Sequence, residues 1–491
     1  VHRRRSIMSR FTGDRQKPFR SAEAVTLLGE TRREVSDAVR ALPRRQREAV
    51  VLRYYLDLSE AEIAEAGPGA GVTAVVERHP PEVYAEPSST RPDPVAESMA
   101  GQHGQEAQRA GTPHAQARID LSAVRANVSR LCEAAGSAEV MAVVKADGYG
   151  HGMAAVARAA LAGGATWLGV AGMREALALR AAGVPGRLLA WLLTPGDDWN
   201  AAVASGVELS AGATWAVRAA VRAAQAVDRP ALLHLEAETG LGRGGATADD
   251  WRALLETAAR AEAAGYVRVV GVWSHLARAD EPGHPSCDEQ LAAFRSAAGL
   301  ARRAGLTPDV LHLSNSAATL TLPEAHFDLV RPGLAVYGLS PVPDLAAPAE
   351  LGLRPAMTLT ARLASVKRVP AGQGVSYGHR YRTARETTLG LVPLGYADGV
   401  PRHASQAGPV LVAGRRHTVA GTVCMDQFVL DLGDAPAAPG DEVVLFGPGD
   451  RGEPGAADWA RAARSISHEI VARIGARVPR TYTGGSASGA L

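Results

Sequence analysis

Cysteine is scarce in this chain: Cys132, Cys287 and Cys424 are the only three in 491 residues. An odd, widely spaced set builds no disulfide framework, and it fits a reducing cytoplasm. Aromatic residues make up only 5%. No uncharged stretch approaches the roughly 18 residues that span a bilayer, so no membrane association is expected. The formal charge of +2 gives no whole-chain attraction to nucleic acid or an anionic surface. The basic opening Val1-His-Arg-Arg-Arg5 leads into no apolar core of a secretory signal. No metal site is expected. What remains is an ordinary globular composition, 46% hydrophobic and 21% charged, long enough for two or three domains and expected in the cytoplasm.

The N-terminal quarter differs from the rest. Residues 34–56 read as a helix, and Ser59 is placed to cap a second one over Glu60–Ala66. The words Ala41-Leu-Pro-Arg-Arg-Gln-Arg-Glu48 and Leu52-Arg-Tyr-Tyr-Leu56 to Glu65 resemble the promoter-reading region of bacterial sigma factors, a family whose recognition helix enters the major groove. Here Gly67-Pro-Gly-Ala-Gly71 follows instead, with no basic helix behind it. Residues 1–72 are therefore expected to be a truncated sigma-like segment that does not read DNA. Residues 73–114, rich in Pro, Ser, Glu, Gln and Gly, are expected to be a flexible linker.

From about Ala115 the pattern changes to apolar β-type runs alternating with alanine-rich helical stretches. The predicted strands are 140–144, 167–171, 188–192, 207–209, 231–235, 269–273, 310–313 and 329–336. Eight strand-then-helix units predict an α/β fold, a (β/α)8 barrel over 115–352. Active residues in such barrels sit just past the strands' C-terminal ends. Lys145 and Tyr149 follow the first strand, Glu236 to Arg243 the fifth, Ser274-His275 the sixth, Ser314-Asn-Ser316 the seventh, and Arg331-Pro-Gly333 lies in the eighth. A lysine at a strand end before Gly148, Gly150 and Gly152 suggests an imine-forming amine beside a phosphate, because glycines let backbone N–H groups approach a ligand. Beyond 353, short β runs between glycine and proline turns predict a mainly β domain over 353–484, with a disordered tail at 485–491.

Taken together, Ala142-Val-Val-Lys-Ala-Asp-Gly-Tyr-Gly-His-Gly152, Glu238-Thr-Gly-Leu-Gly-Arg243, Ser274-His-Leu-Ala-Arg-Ala-Asp280, Asn315-Ser-Ala-Ala318 and Leu329 to Leu339 resemble the barrel motifs of alanine racemases. Val375-Ser-Tyr-Gly378, Gly395-Tyr-Ala-Asp-Gly399 and Val423-Cys-Met-Asp-Gln427 resemble those of the family's second domain. The resemblance covers about 117–482. It implies pyridoxal 5′-phosphate as cofactor, bound by Lys145, Tyr149, His275, Asn315, Ser316, Arg331, Gly333 and His468. It implies Lys145 and Tyr377 as bases on opposite faces of an amino-acid substrate, with Arg243, Tyr396, Met425 and Asp426 contacting that substrate. It further implies a homodimer in which one subunit's second domain completes the partner's site, and D-alanine production for peptidoglycan. The alternatives are a racemase of other preference (for example serine) and, remotely, a sigma-like DNA-binding regulator.

Three positions depart from the family pattern. Glu236 stands where a lysine that can be carbamylated is usual, Leu241 where methionine is, and His468 where a phosphate-binding tyrosine is. Glu236 is expected to supply the carbamate's negative charge beside Arg243, and His468 to replace the tyrosine.

Overall fold

The computed structural model describes residues 113–485. The sigma-like segment and the linker up to residue 112 lie outside the described residues, as does the tail from 486.

The first strand, β1 (Ala115–Asp120), ends on the N-cap of the helix Leu121–Ala135, where the Asp120 carboxylate accepts the Ser122 and Ala123 N–H groups. Eight parallel strands follow: β2 (Glu139–Val143), β3 (Trp167–Val170), β4 (Arg187–Ala190), β5 (Glu208–Ala211), β6 (Ala231–Glu236), β7 (Val267–Trp273), β8 (Val310–His312) and β9 (Leu329–Val330). They lie in the order β8-β7-β6-β5-β4-β3-β2-β9. The seam between β8 and β9 is tied by Asp328 N–H to Leu311 O at 3.1 Å and Arg331 N–H to Ser314 O at 2.9 Å. This is the expected barrel. Its eighth strand is shorter than the predicted 329–336, because Pro332 has no N–H to donate and the chain turns into a 3-10 segment at Leu334–Tyr337.

The second sheet runs through β10 (Met357–Arg362), β11 (Ser365–Val369), β14 (Thr387–Val392), β15 (Pro409–Val412), β16 (Arg415–Ala420), β17 (Phe428–Gly433), β18 (Glu442–Phe446) and β19 (Arg480–Thr483). A separate ribbon pairs β12 (Gly374–Val375) with β13 (Tyr381–Arg382). The sheet order is β11-β14-β17-β16-β15-β18-β10-β1-β19. Thus β1, which the sequence pattern assigned to the barrel, pairs antiparallel with β10 and parallel with β19. Its Ala115, Ala117 and Ile119 are buried, and the 15-residue helix Leu121–Ala135 begins directly after it. The predicted single run 357–366 is two strands, and helices Ala456–Ala463 and Ser467–Ala472 interrupt the β pattern near the C-terminus.

The barrel interior is not wholly apolar. His234 and His312 are fully buried, and Glu208 nearly so, in a row: His312 Nε2 lies 2.9 Å from His234 Nδ1, and His234 Nε2 lies 2.8 Å from Glu208. Arg187 closes the row with bonds of 2.6 and 3.0 Å to the same carboxylate. Burial holds both histidines below their ordinary values, so they are neutral hydrogen-bond relays.

Candidate active site

Past β2, Lys145 opens an unusual turn. Ala146, Asp147, Gly148 and Tyr149 all have φ between +51° and +60°. Three of the four carry a β-carbon, and each such residue costs about 1–2 kcal/mol in this left-handed region. Bonds inside the turn offset the strain: Gly148 N–H to Val144 O, Gly150 N–H to Ala146 O and Gly152 N–H to Asp147 O, each 2.9 Å. These N–H groups are therefore occupied, which corrects the expectation that the three glycines cradle a phosphate. Two of the glycines serve packing instead. A β-carbon at Gly150 would collide with Val471 O, and one at Gly152 with the Tyr482 hydroxyl.

A cavity of about 380 Å³ opens at the C-terminal end of the barrel strands. Lys145, Tyr149, Arg243, His275, Asn315, Ser316, Arg331, Gly333 and His468 all line it, together with Trp191, Trp273 and Asp280, which were not among the sequence candidates. Lys145 Nζ lies 5.7 Å from the centre of the Trp191 ring. Burial and then Arg243 push its ammonium below the ordinary lysine range, while Glu175 pulls it back.

Ser316, Gly333 and Tyr149 meet at one point. Ser316 Oγ accepts the N–H groups of Gly333 at 2.8 Å and Ala335 at 3.2 Å, and a β-carbon at Gly333 would strike the Tyr149 hydroxyl. Tyr149 is held by its neighbour Tyr337, ring centres 4.7 Å apart, whose own hydroxyl donates to Val143 O. The His468 ring centre stands 6.0 Å from that of Tyr149. Hydroxyls beside a glycine backbone suit a phosphate, and a half-buried lysine amine in the same cavity suits an aldehyde. The residues present fit pyridoxal 5′-phosphate.

Arg331 is buried and fixed on every side. It donates to Ser274 O at 2.7 Å, Leu313 O at 3.2 Å, His312 Nδ1 at 3.1 Å and His275 Nδ1 at 3.3 Å, and its guanidinium carbon sits 4.9 Å over the Trp273 ring. Burial lowers it to about 9, which leaves it charged at neutral pH. Since Arg331 has only donors, His275 Nδ1 accepts and its proton sits on Nε2. Burial, with Arg331, Arg243 and Lys145 nearby, takes His275 down to about 3, so it stays neutral. The Arg243 loop is wound around the Glu238 carboxylate, which accepts the N–H groups of Gly240, Gly242 and Arg243 at 2.5, 2.9 and 3.2 Å.

The four remaining sequence candidates lie elsewhere. Tyr377, Tyr396, Met425 and Asp426 do not line the cavity of their own chain. They form one surface of the second domain: Tyr396 and Ala397 donate to Cys424 O and Met425 O, and Thr422 Oγ1 donates to Tyr377 O. Tyr377 is 72% exposed, Met425 53% and Tyr396 39%, high values for large apolar side chains. Asp426 accepts a 2.7 Å bond from Arg477, a partner that no motif indicated.

The family model for the alanine racemase N-terminal domain matches residues 119–341, and that for the C-terminal domain matches 356–482. The chain belongs to the alanine racemase family. The alanine racemase of Frankia casuarinae is 61% identical over 380 residues, 76% of this chain and 99% of that protein. That of Streptomyces coelicolor is 60% identical over 373 residues, covering 75% and 95%. Among solved structures, alanine racemase from a D-cycloserine-producing Streptomyces lavendulae aligns with a TM-score of 0.76 at 57% identity, covering 76% of this chain and 98% of that one. Residues 32–67 match the model for sigma-70 region 4, outside the described residues. Alanine racemase similarity therefore covers the barrel and the second domain, and the sigma-like match precedes both.

Proposed function

We propose that this chain interconverts L- and D-alanine with pyridoxal 5′-phosphate, working as a homodimer in which each second domain serves the other subunit's barrel. The observation that carries the reading is the convergence of Lys145, Tyr149, Ser316, Gly333 and Arg331 on one cavity. The cofactor, when bound through Lys145, supplies the electron sink that makes an amino acid's Cα–H acidic. Lys145, its ammonium already weakened by burial and by Arg243, holds and returns a proton on one face of the substrate. Tyr377 does the same on the opposite face. Its 72% exposure within an apolar surface patch supports delivery from a second copy of the chain. Arg331, a fixed cation lining the cavity, would disfavour protonation of the cofactor's ring nitrogen and so would limit side reactions such as transamination. Arg243, Tyr396, Met425 and Asp426 select a small amino acid. The three cysteines are free, as a reducing cytoplasm requires, and D-alanine made there would enter peptidoglycan.

The test has two arms. Borohydride treatment of the purified full chain should leave the cofactor covalently on Lys145, and the chain should interconvert L- and D-alanine faster than L-serine. Mixing Lys145→Ala and Tyr377→Phe chains, each inactive, should restore about a quarter of wild-type activity, because half the dimers would be hybrids with one intact site of two. No adduct on Lys145 removes the cofactor reading, preference for serine changes the substrate, and no recovery on mixing removes the shared site.

A further inference from the structure

The strained turn that begins at Lys145 is held from outside by one carboxylate. Glu175 lies near the start of the helix Met173–Ala181, after the neighbouring strand β3. Its Oε1 accepts the Ala146 N–H at 2.6 Å, while Oε2 accepts those of Ala171 at 2.9 Å and Gly172 at 3.1 Å. A glutamate in this place commonly does no more than bond the first N–H groups of its own helix. Here the second oxygen reaches across to the neighbouring strand's turn. It binds the first residue after the lysine, where the backbone enters the left-handed region.

Resting on the reading of Lys145 as the cofactor-bearing base, we infer that Glu175 is a positioning residue that fixes the direction of Lys145 and places a negative charge near its amine. Two features support the role. Ala146 at φ 53° and Asp147 at φ 52° would relax to ordinary conformations without an external hold, and relaxation there rotates the Lys145 side chain away from the cavity. The ionisable groups that act on Lys145 or respond to it are Arg243, His275, His468 and Glu175, and of these Glu175 alone is acidic. A glutamine cannot replace it, since a carboxamide offers one acceptor oxygen and three N–H groups need two.

The experiment compares wild type with Glu175→Gln as full chains stripped of cofactor. The acetylation rate of Lys145 by acetic anhydride is followed against pH by peptide mass spectrometry. The reactivity midpoint of Glu175→Gln should move to lower pH than that of wild type, as loss of a nearby anion requires. The same variant, reloaded, should release cofactor faster. Superimposable reactivity profiles with equal cofactor retention overturn the inference, provided wild type still takes the borohydride adduct on Lys145. If wild type takes none, the underlying reading has failed instead. Should Glu175→Gln not fold, hydrogen exchange on wild type decides: the Ala146 amide is protected like those of β2, and exchange at the rate of an open loop overturns the role.

Discussion

Glu236 shows how much one side chain's surroundings determine. It ends β6 between two glycines: a β-carbon at Gly244 would lie 3.1 Å from Oε1, and one at Gly212 3.4 Å from Oε2. Burial lifts its carboxyl to about 7, against the pull of Arg243 and Arg331. Its charge is thus present only above neutral pH. A raised carboxyl stabilises the fold most below its unfolded value and progressively less as pH climbs through about 7. The cofactor-free wild type should therefore lose stability relative to Glu236→Gln between about pH 5 and 8, by up to about 3 kcal/mol. Catalysis should run the other way. If the ionised carboxylate orients Arg243, Glu236→Gln turns over more slowly than wild type at pH 8 and matches it at pH 6, where both are neutral. Thermal melts and turnover at the two pH values check both statements, and identical kinetics at pH 8 would remove the role. The substitution was legible in the sequence because it interrupts a strong motif. Its shifted titration was not, since that depends on burial in the folded barrel and on Arg331, which follows another strand, β9.

At the scale of the element, the Lys145 turn is fastened from both domains. Arg480, on β19, donates to Gly150 O at 3.0 Å, and also to Ile474 O, Gly475 O and Val478 O at 2.5, 2.6 and 2.8 Å. Arg480→Ala takes the side-chain donor from Gly150 O, Ile474 O and Val478 O, while Gly475 O keeps the Val478 N–H at 3.2 Å, and should cost about 3 kcal/mol. The variant should melt several degrees lower and hold cofactor less tightly; an unchanged melt would show that solvent replaces the guanidinium without loss. None of this is readable locally. The barrel strands were legible because each carries its own apolar run and turn, and the polar residues past them form a set for the same reason. By contrast, β1 and β19 are short segments whose pairing depends on partners far away in the chain. Glu175 was missed because its helix-start position has a simpler local explanation. Tyr377 was legible as a motif residue paired with Lys145 across a dimer, and its own chain does not bring it to the cavity that Lys145 lines.

For the whole molecule, the racemase-family portion begins with β1, the last but one strand of the second sheet, between β10 and the edge strand β19. Removing residues 1–113 should leave activity intact, whereas extending the cut to Asp120 removes a strand bonded on both edges and should abolish folding. Activity and circular dichroism of the two truncations distinguish these outcomes, and loss of activity in the shorter cut would make the preface part of the enzyme. The same strand has a consequence for synthesis on the ribosome. Asp120 and Met357 are 237 positions apart (357 − 120), and closing that loop costs on the order of 5 kcal/mol of chain entropy. Until the barrel has folded and drawn β10 alongside, β1 waits with both edges bare, and its second partner, β19, is made later than β10. Arg480, which anchors the Lys145 turn, lies in that strand. A nascent chain stopped short of Arg480 would therefore hold its lysine loosely, and the turn would be fixed only once β19 is made.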